Sequence, residues 1–139
     1  MWLRPGQRGL PRASHLIGSG TAGGSAWSVT GYVGPWGRCL VARGGGTIAS
    51  GCVATFGPPG TSVMGWTTGP PRVVYGSAGA SVVHVVVTLS DRTSIRVRAG
   101  RAGDQKFFAF ALGKGQRAVR WRAYDSARHV VASGHISGG

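Results

Sequence analysis

Glycine and proline are spread so densely through this chain that they limit the length of any regular element. The sequence holds 26 glycines and seven prolines among 139 residues, and both residue types interrupt helices and strands. Forty-two per cent of the residues are nonetheless hydrophobic, which is normal for a folded protein. The length is that of one typical domain. We therefore expect a single domain of many short elements around one modest core.

Apolar residues that alternate with polar ones indicate strands, and the clearest examples lie in the second half. Residues 81–89 place four apolar side chains on one face and Val82 and Val86 on the other. This pattern predicts a central strand that is buried on both sides or nearly so. Residues 94–99 alternate strictly, and the turn at 90–92 predicts that they form a hairpin with 81–89.

A second pair of strands is predicted at 106–112 and 118–125, joined by the glycine-containing turn at 113–115. Its expected inward side chains are Phe108, Phe110, Leu112, Val119, Trp121 and Ala123. A last strand is expected at 129–133. The spacing of Trp121 and Tyr124 also fits one face of a helix over 116–128, which is the alternative for that segment.

The first 25 residues lack hydrophobic periodicity and are rich in glycine, serine, arginine and proline. Such a composition predicts a disordered basic arm or linker at 1–25, because it buries too little apolar surface to become ordered. Shorter strand candidates follow at 26–33, 38–42, 47–56 and 72–75. The whole pattern predicts an all-β protein: a single small antiparallel β-sandwich of the Ig-like kind at 26–139, behind a flexible N-terminal arm.

Two cysteines, Cys39 and Cys52, fall in strand candidates on either side of a glycine-rich loop. This spacing is that of a hairpin and favours a disulfide, which would stabilise the fold by about 3 kcal/mol in the chain-entropy model. Two buried free thiols are the alternative. A zinc site with two of the histidines is a further option, although the close paired spacing of such sites is missing.

Positive charge is the most unusual total of this sequence. Sixteen lysines and arginines stand against three acids, Asp91, Asp104 and Asp125, which gives a net charge of +13. A surface of this kind attracts polyanions. Arginine greatly outnumbers lysine, as GC-rich coding would produce, but such coding does not account for the scarcity of acids.

Catalytic chemistry finds little support in the sequence. General acid–base catalysis usually needs a carboxylate pair or a histidine oriented by an acid, and Asp91 and Asp125 both fall at predicted turns. The string at 18–23 matches G-x-G-x-x-G, but neither a following helix nor a nearby acid accompanies it, so we read it as a chance match. We expect no catalytic residue, no cofactor, no metal site and no small-molecule substrate.

The sharpest positive hypothesis is a basic surface on one sheet. Arginines alternate outward on two predicted strands, and Tyr124 continues the second row. The candidate anion-binding residues are Arg96, Arg98, Arg120, Arg122 and Tyr124. If the two strands belong to one sheet, these side chains would share a surface suited to phosphates or carboxylates. An ordinary solvated face is the alternative.

Three strings carry a resemblance to known proteins: YVGPWGRC at 32–39, FFAF at 107–110 and WRAYD at 121–125. Over residues 27–135 the chain resembles the C-terminal extracytoplasmic domain of uncharacterised actinobacterial membrane-anchored or secreted proteins. The resemblance implies a β-sandwich, a location outside the membrane and an oxidised Cys39–Cys52 pair, but no activity. The chain departs from those proteins in two ways. We expect no signal peptide or transmembrane segment from the residues ahead of the domain, and Arg92 and Arg128 stand at turns that usually hold glycine.

We therefore expect a non-catalytic extracytoplasmic binding or structural module, secreted or on the cell surface. Its expected partner is an anionic envelope polymer, a membrane surface with its lipid head groups, or a protein. The alternative is a basic protein that binds nucleic acid through non-specific, salt-sensitive attraction.

Overall fold

The computed structural model describes residues 14–22, 24–34, 37–53, 61–68, 71–102, 105–113 and 115–136. Every regular element among these residues is a β-strand. The strands form three antiparallel sheets of four strands each, here named sheets A, B and C. The predicted all-β antiparallel sandwich is confirmed, and the structure adds a third layer to it.

Sheet A is a meander of four consecutive strands in the order β1-β2-β3-β4. Their bounds are β1 His15–Ala22, β2 Ser25–Gly34, β3 Gly37–Gly44 and β4 Thr47–Val53. Strand β1 lies inside the stretch predicted to be a disordered arm, so that prediction is wrong for His15–Ala22. Residues 1–13 of the arm lie outside the described residues.

A tryptophan on the neighbouring strand explains why β1 forms despite its glycines. Trp27 of β2 pairs with Gly20, and a Cβ atom added at Gly20 would lie 3.1 Å from the indole nitrogen of Trp27. The indole therefore covers backbone that glycine leaves bare, as aromatic residues do beside glycines in other sheets. Local composition carries no sign of this cross-strand support.

Sheets B and C are interleaved along the chain, which passes from one to the other three times after β6. Sheet B has the order β5 (Ser62–Trp66), β6 (Arg72–Ala78), β10 (Gln105–Leu112), β9 (Gly100–Ala102). Sheet C has the order β12 (Val130–His135), β11 (Ala118–Tyr124), β7 (His84–Leu89), β8 (Ser94–Arg98).

Sheet B is the middle layer and buries both of its faces. One face packs on sheet A through Val73, Tyr75, Phe107 and Ala109, which meet Val29, Leu40 and Ala42. The other packs on sheet C through Val74, Ala78, Phe108, Phe110 and Leu112, which meet Val85, Val87, Leu89, Ala118, Trp121 and Ala123. The structure therefore has two clusters of buried residues, one on each face of sheet B, instead of the expected single core.

The predicted hairpin of 106–112 with 118–125 does not form. Strand β10 pairs with β6 and β9, whereas β11 pairs with β7 and β12. The inward row Phe108, Phe110 and Leu112 is buried as expected, but Phe107 and Ala109 on the opposite face are buried as well. A strand with two apolar faces belongs in a central layer, while the arginines of β11 need a face in water.

In strand β11, the predicted orientation of one side chain is wrong. Val119 was expected to point inward, yet it is 41% exposed, and Ala118 is buried in its place. The cause is an irregularity in the pairing of β11 with β7 between Ala118 and Arg120, which shifts the alternation by one position. The segment is a strand, so the helical alternative for 116–128 is wrong.

The hairpin of β7 and β8 is confirmed. Strand β7 is an inner strand of sheet C, as predicted, although it starts at His84 rather than at residue 81. Val85, Val87 and Leu89 are buried, and the opposite face of β7 is half-buried. Ile95 and Val97 of β8 pack against the cluster between sheets B and C.

The predicted disulfide joins Cys39 of β3 to Cys52 of β4. The two residues are direct partners in the antiparallel pairing of these strands. Cys39 is buried and Cys52 is exposed. The bridge excludes the alternatives of two free thiols and of a zinc site built on these cysteines.

Candidate anion-binding face

The arginines singled out in the sequence lie on the outer face of sheet C. We name this surface the basic face and define it by Arg96, Arg98, Arg120, Arg122 and Tyr124. All four arginines are exposed. Their strands do not touch each other, because β7 lies between β8 and β11.

The pairing register places these side chains in rows across three strands. Arg96 and Arg122 are both partners of Val86, one from each side. Neighbouring strands are about 4.8 Å apart, so these two arginines leave the sheet about 10 Å from each other. Arg98 and Tyr124 flank His84 in the next row. The condition set by the sequence analysis, that both arginine strands belong to one sheet, is therefore met.

Alternation along the strands explains why the arginines face solvent. Trp121 and Ala123 are buried against sheet B. Arg120 precedes Trp121 and Arg122 lies between the two buried residues, so both arginines point to the opposite face. The same holds on β8, where Ile95 and Val97 are half-buried and Arg96 and Arg98 are exposed. One face of sheet C thus belongs to the core and the other to solvent.

His84 also belongs to this surface, although it is not among the residues that the sequence pattern marked as a candidate site. Its imidazole stacks on the ring of Tyr124, with centroids 5.3 Å apart and planes 14° from parallel. Partial burial, with the charges of Arg96 and Arg128 adding to it, holds the pKa of His84 below its usual range. The neutral imidazole is therefore favoured beside the arginines.

Arg128 also reaches this end of the surface, since its charge acts on His84. It lies in the turn between β11 and β12, where it adopts a left-handed backbone with φ of 64°. The sequence marked Arg128 only as an unusual turn residue. Its proximity to His84 follows from the pairing of β11 with β7, which local patterns do not show.

Neither acid among the described residues neutralises the basic face. Asp91 accepts hydrogen bonds from the amide and hydroxyl of Thr93, and these bonds lower its pKa. Asp125 accepts bonds from the amides of Ala127 and His129. Both aspartates thus stabilise turns, as predicted, and Asp104 lies outside the described residues. Within the described chain, no aspartate forms an ion pair with an arginine of the basic face.

Two shallow depressions interrupt the surface. One is lined by Val83, His84, Arg96 and Arg98. The other is lined by Arg120, Trp121, Arg122, Ser133, Gly134 and His135. Each depression is lined by two arginines and a histidine. Such an arrangement offers several donors to one phosphate or carboxylate group.

The described residues contain no group of three histidine, cysteine or acidic side chains that could hold a metal ion. They also contain no helix that could span a membrane. No family model, curated protein or solved structure matches the chain. The geometry of the basic face is therefore the basis for a functional proposal.

Proposed function

We propose that this protein is a non-catalytic binding module located outside the cytoplasm, and that its basic face binds an anionic polymer of the cell envelope. The observation that carries the proposal is the arrangement of four exposed arginines on one side of sheet C. Their positions are fixed by the pairing of β8, β7 and β11. A repeating anion can contact several of them at once, since they cover three adjacent strands.

The electrostatics of the surface support a polyanion as the ligand. Two unit charges 10 Å apart repel by about 0.4 kcal/mol in water, so the fold tolerates these arginines without a counter-ion. The two described aspartates are engaged in turns. The positive potential is thus left for a ligand, and attraction of this kind weakens as salt is added.

The disulfide supports the proposed location. Disulfides form and persist mainly in secreted proteins and at cell surfaces, where the environment is oxidising. The Cys39–Cys52 bridge is therefore consistent with the location that the resemblance to extracytoplasmic domains implies. That resemblance itself stays a prediction.

A pair of matched variants tests the role of the basic face. Arg120→Gln with Arg122→Gln removes two charges from the face, and Arg43→Gln with Arg101→Gln removes two exposed charges from sheets A and B. Titration with polyphosphate and with poly-L-glutamate at several salt concentrations gives the affinity of each variant. We expect the first variant to bind about tenfold more weakly, since each exposed charge pair contributes up to about 1 kcal/mol. The second variant should bind almost as the wild type does.

Two results would contradict the proposal. Equal loss in both variants would mean that net charge alone drives binding. Preferential binding of single-stranded DNA over both synthetic polyanions, lost in the first variant only, would assign the same face to nucleic acid instead. Vesicles with and without anionic lipid, tested in parallel, separate a membrane surface from a soluble polymer.

Thiol titration tests the proposed location separately. Protein isolated from its native source and denatured without reductant should contain no free thiol. Two free thiols per chain would contradict the extracytoplasmic part of the proposal and leave the binding part untouched.

A further inference from the structure

Three strand edges that have no strand partner among the described residues meet at one groove. Strand β1 is one edge strand of sheet A, and β8 is one edge strand of sheet C. In sheet B, β10 pairs with β6 over its length from Lys106 to Leu112, but with β9 only from Gln105 to Phe107. Beyond Phe107, the edge of β10 that faces away from β6 therefore has no strand partner among the described residues.

The groove opens where β9 would continue if it were longer. Its lining comes from all three layers: residues 17–22 and Trp27 from sheet A, 95–98 from β8, and 109–111 from β10. The chain leaves sheet C after Ala99, whose amide still bonds to the carbonyl of Val83, and enters sheet B at Gly100. Because β9 begins only at Gly100, which pairs with Phe107, the position beside 108–112 stays open.

Small residues line the groove on two sides. Ala109 and Ala111 lie on the β10 side and Gly18 and Gly20 on the β1 side. A Cβ atom at Gly18 would be in ordinary van der Waals contact with Ala109, 3.7 Å from its Cβ atom, so β1 and β10 lie close together at this end of the groove. Trp27 offers an apolar wall, and Ile95 and Val97 offer another.

Positive charge at the groove determines which kind of extended chain can bind there. Arg96 and Arg98 line it as well as belonging to the basic face, and neither of the described aspartates lines it. A row of unpaired backbone groups accepts an added strand through main-chain hydrogen bonds. Positive charge at the rim favours a strand that carries acidic side chains.

We propose that this groove binds an extended acidic segment of a partner protein, which adds a strand to sheet B beside β10. The added strand takes the place that β9 leaves open, and its backbone pairs with 108–112. Its side chains alternate between the side of Trp27, which takes the apolar residues, and the side of β8, where Arg96 and Arg98 pair with the acidic residues. This proposal differs from the polyanion proposal because it depends on backbone pairing at strand edges, and the two proposals share only Arg96 and Arg98.

The test uses three synthetic hexapeptides and the complete chain. The first alternates glutamate and valine; the second has the same sequence with its backbone amides N-methylated; the third has lysine in place of glutamate. We expect the first to bind and to slow hydrogen exchange of the amides at the open edge of 108–112. N-methylation removes the donors that strand pairing needs, so the second should bind at least about tenfold more weakly. The lysine peptide should not bind.

Two variants locate the binding. Ala111→Phe fills the groove at a half-buried position and should abolish binding of the first peptide, with an unchanged circular dichroism spectrum as the check on folding. Arg120→Gln with Arg122→Gln should leave peptide binding intact, because those residues do not line the groove. If this double variant lost peptide binding together with polyphosphate binding, the peptide would be a ligand of the basic face and the groove proposal would be wrong.

Other occupants give distinct results, and each would overturn the proposal. Equal binding of the plain and N-methylated peptides would mean charge attraction without strand pairing. Slow exchange of the amides on the open edge of 108–112 in the free monomer would mean that another part of this chain fills the groove. Slow exchange that appears only with rising protein concentration, together with a doubled mass, would mean that a second copy fills it.

Discussion

Arg92 and Arg128 occupy the same position in two similar turns, with φ of 70° and 64°. In each turn the backbone amide of the arginine donates a hydrogen bond to the carbonyl of the residue three positions earlier. The acceptor is Leu89 for Arg92 and Asp125 for Arg128. A left-handed backbone costs a residue with a side chain about 1–2 kcal/mol, and glycine avoids that cost. The two arginines therefore reduce the stability of the hairpins that they close.

Replacing Arg92 by glycine should stabilise the protein. We expect the free energy of unfolding to rise by about 0.5–1 kcal/mol, because the relief of the strained backbone exceeds the added entropy of the unfolded chain. Urea denaturation measures the change. Arg92→Ala removes the same charge but keeps a Cβ atom, so it should give no such gain. A gain of equal size from alanine would assign the effect to charge instead.

His84 should make stability depend on pH in the range where histidine titrates. Its pKa is lowered in the folded state by partial burial and by the charges of Arg96 and Arg128, whereas in the unfolded chain it is about 6.5. As the pH falls, the unfolded state therefore binds a proton first. The free energy of unfolding decreases between the unfolded pKa of about 6.5 and the lower pKa of the folded state.

The matched variant His84→Gln isolates this contribution from the other histidines. The difference in free energy of unfolding between wild type and variant should shrink as pH falls from neutral to about 5. Denaturation midpoints over this range measure it. A difference that stays constant with pH would show that His84 titrates alike in both states.

At the scale of the strand, contacts between partners decide positions that local patterns leave open. Gly134 of β12 pairs with Trp121 of β11, and a Cβ atom at Gly134 would lie 2.8 Å from three atoms of the indole. Trp121 itself is buried against sheet B. The indole fills the space that a side chain at position 134 would need.

Gly134→Ala should therefore destabilise the protein, although alanine is otherwise acceptable in a strand. We expect a loss of about 1–3 kcal/mol, the usual cost of forcing extra volume into a packed site. Thermal unfolding measures it, with Ser133→Ala on the exposed side of β12 as a control expected to change little. A loss of equal size in both variants would indicate a general weakness of β12 rather than contact with the indole.

Most strands were predicted from the sequence, whereas their pairing into sheets was predicted only in part. Strand β8 has a strict alternation, so its extent and its outward arginines were predicted almost correctly. Strand β10 is apolar on both faces, so the sequence did not reveal which sheet it joins. The short or glycine-rich strands β1, β5 and β9 have no local pattern strong enough to mark them.

The same limit applies to the candidate site. Arg96 and Arg122 were expected on one surface because each alternates outward on its own strand. Their meeting across Val86 depends on β7 lying between them, as does the stacking of His84 on Tyr124. Such contacts are set by strand order, which is a property of the whole chain.

The whole molecule depends on the middle sheet, because both clusters of buried residues include side chains of β10. Phe107 packs between sheets A and B, and its neighbour Phe108 packs between sheets B and C. Loss of either ring therefore weakens one of the two interfaces of sheet B directly. It also weakens the other interface, because β10 contributes to both. We expect the three layers to unfold together.

Phe107→Ala and Phe108→Ala should each cost about 3–5 kcal/mol. Hydrogen exchange in sheet A and in sheet C should accelerate together in both variants, since neither outer sheet keeps a complete core when sheet B is lost. Val131→Ala, at an exposed position, should change the free energy of unfolding by less than about 0.5 kcal/mol. If Phe107→Ala accelerated exchange in sheet A alone, the layers would be separate folding units.

The order of the strands along the chain also affects how the protein is made. Sheet A is complete once Val53 has been synthesised, but the apolar face that carries Val29 and Leu40 is covered only by β6 and β10. The roughly 60 residues from Val53 to Leu112 take about 3–12 s to add at ribosomal rates. During that interval the apolar face of sheet A is exposed to solvent and can associate with other chains. A chaperone or a translocation channel that shields the nascent sheet would therefore have its greatest effect in this window.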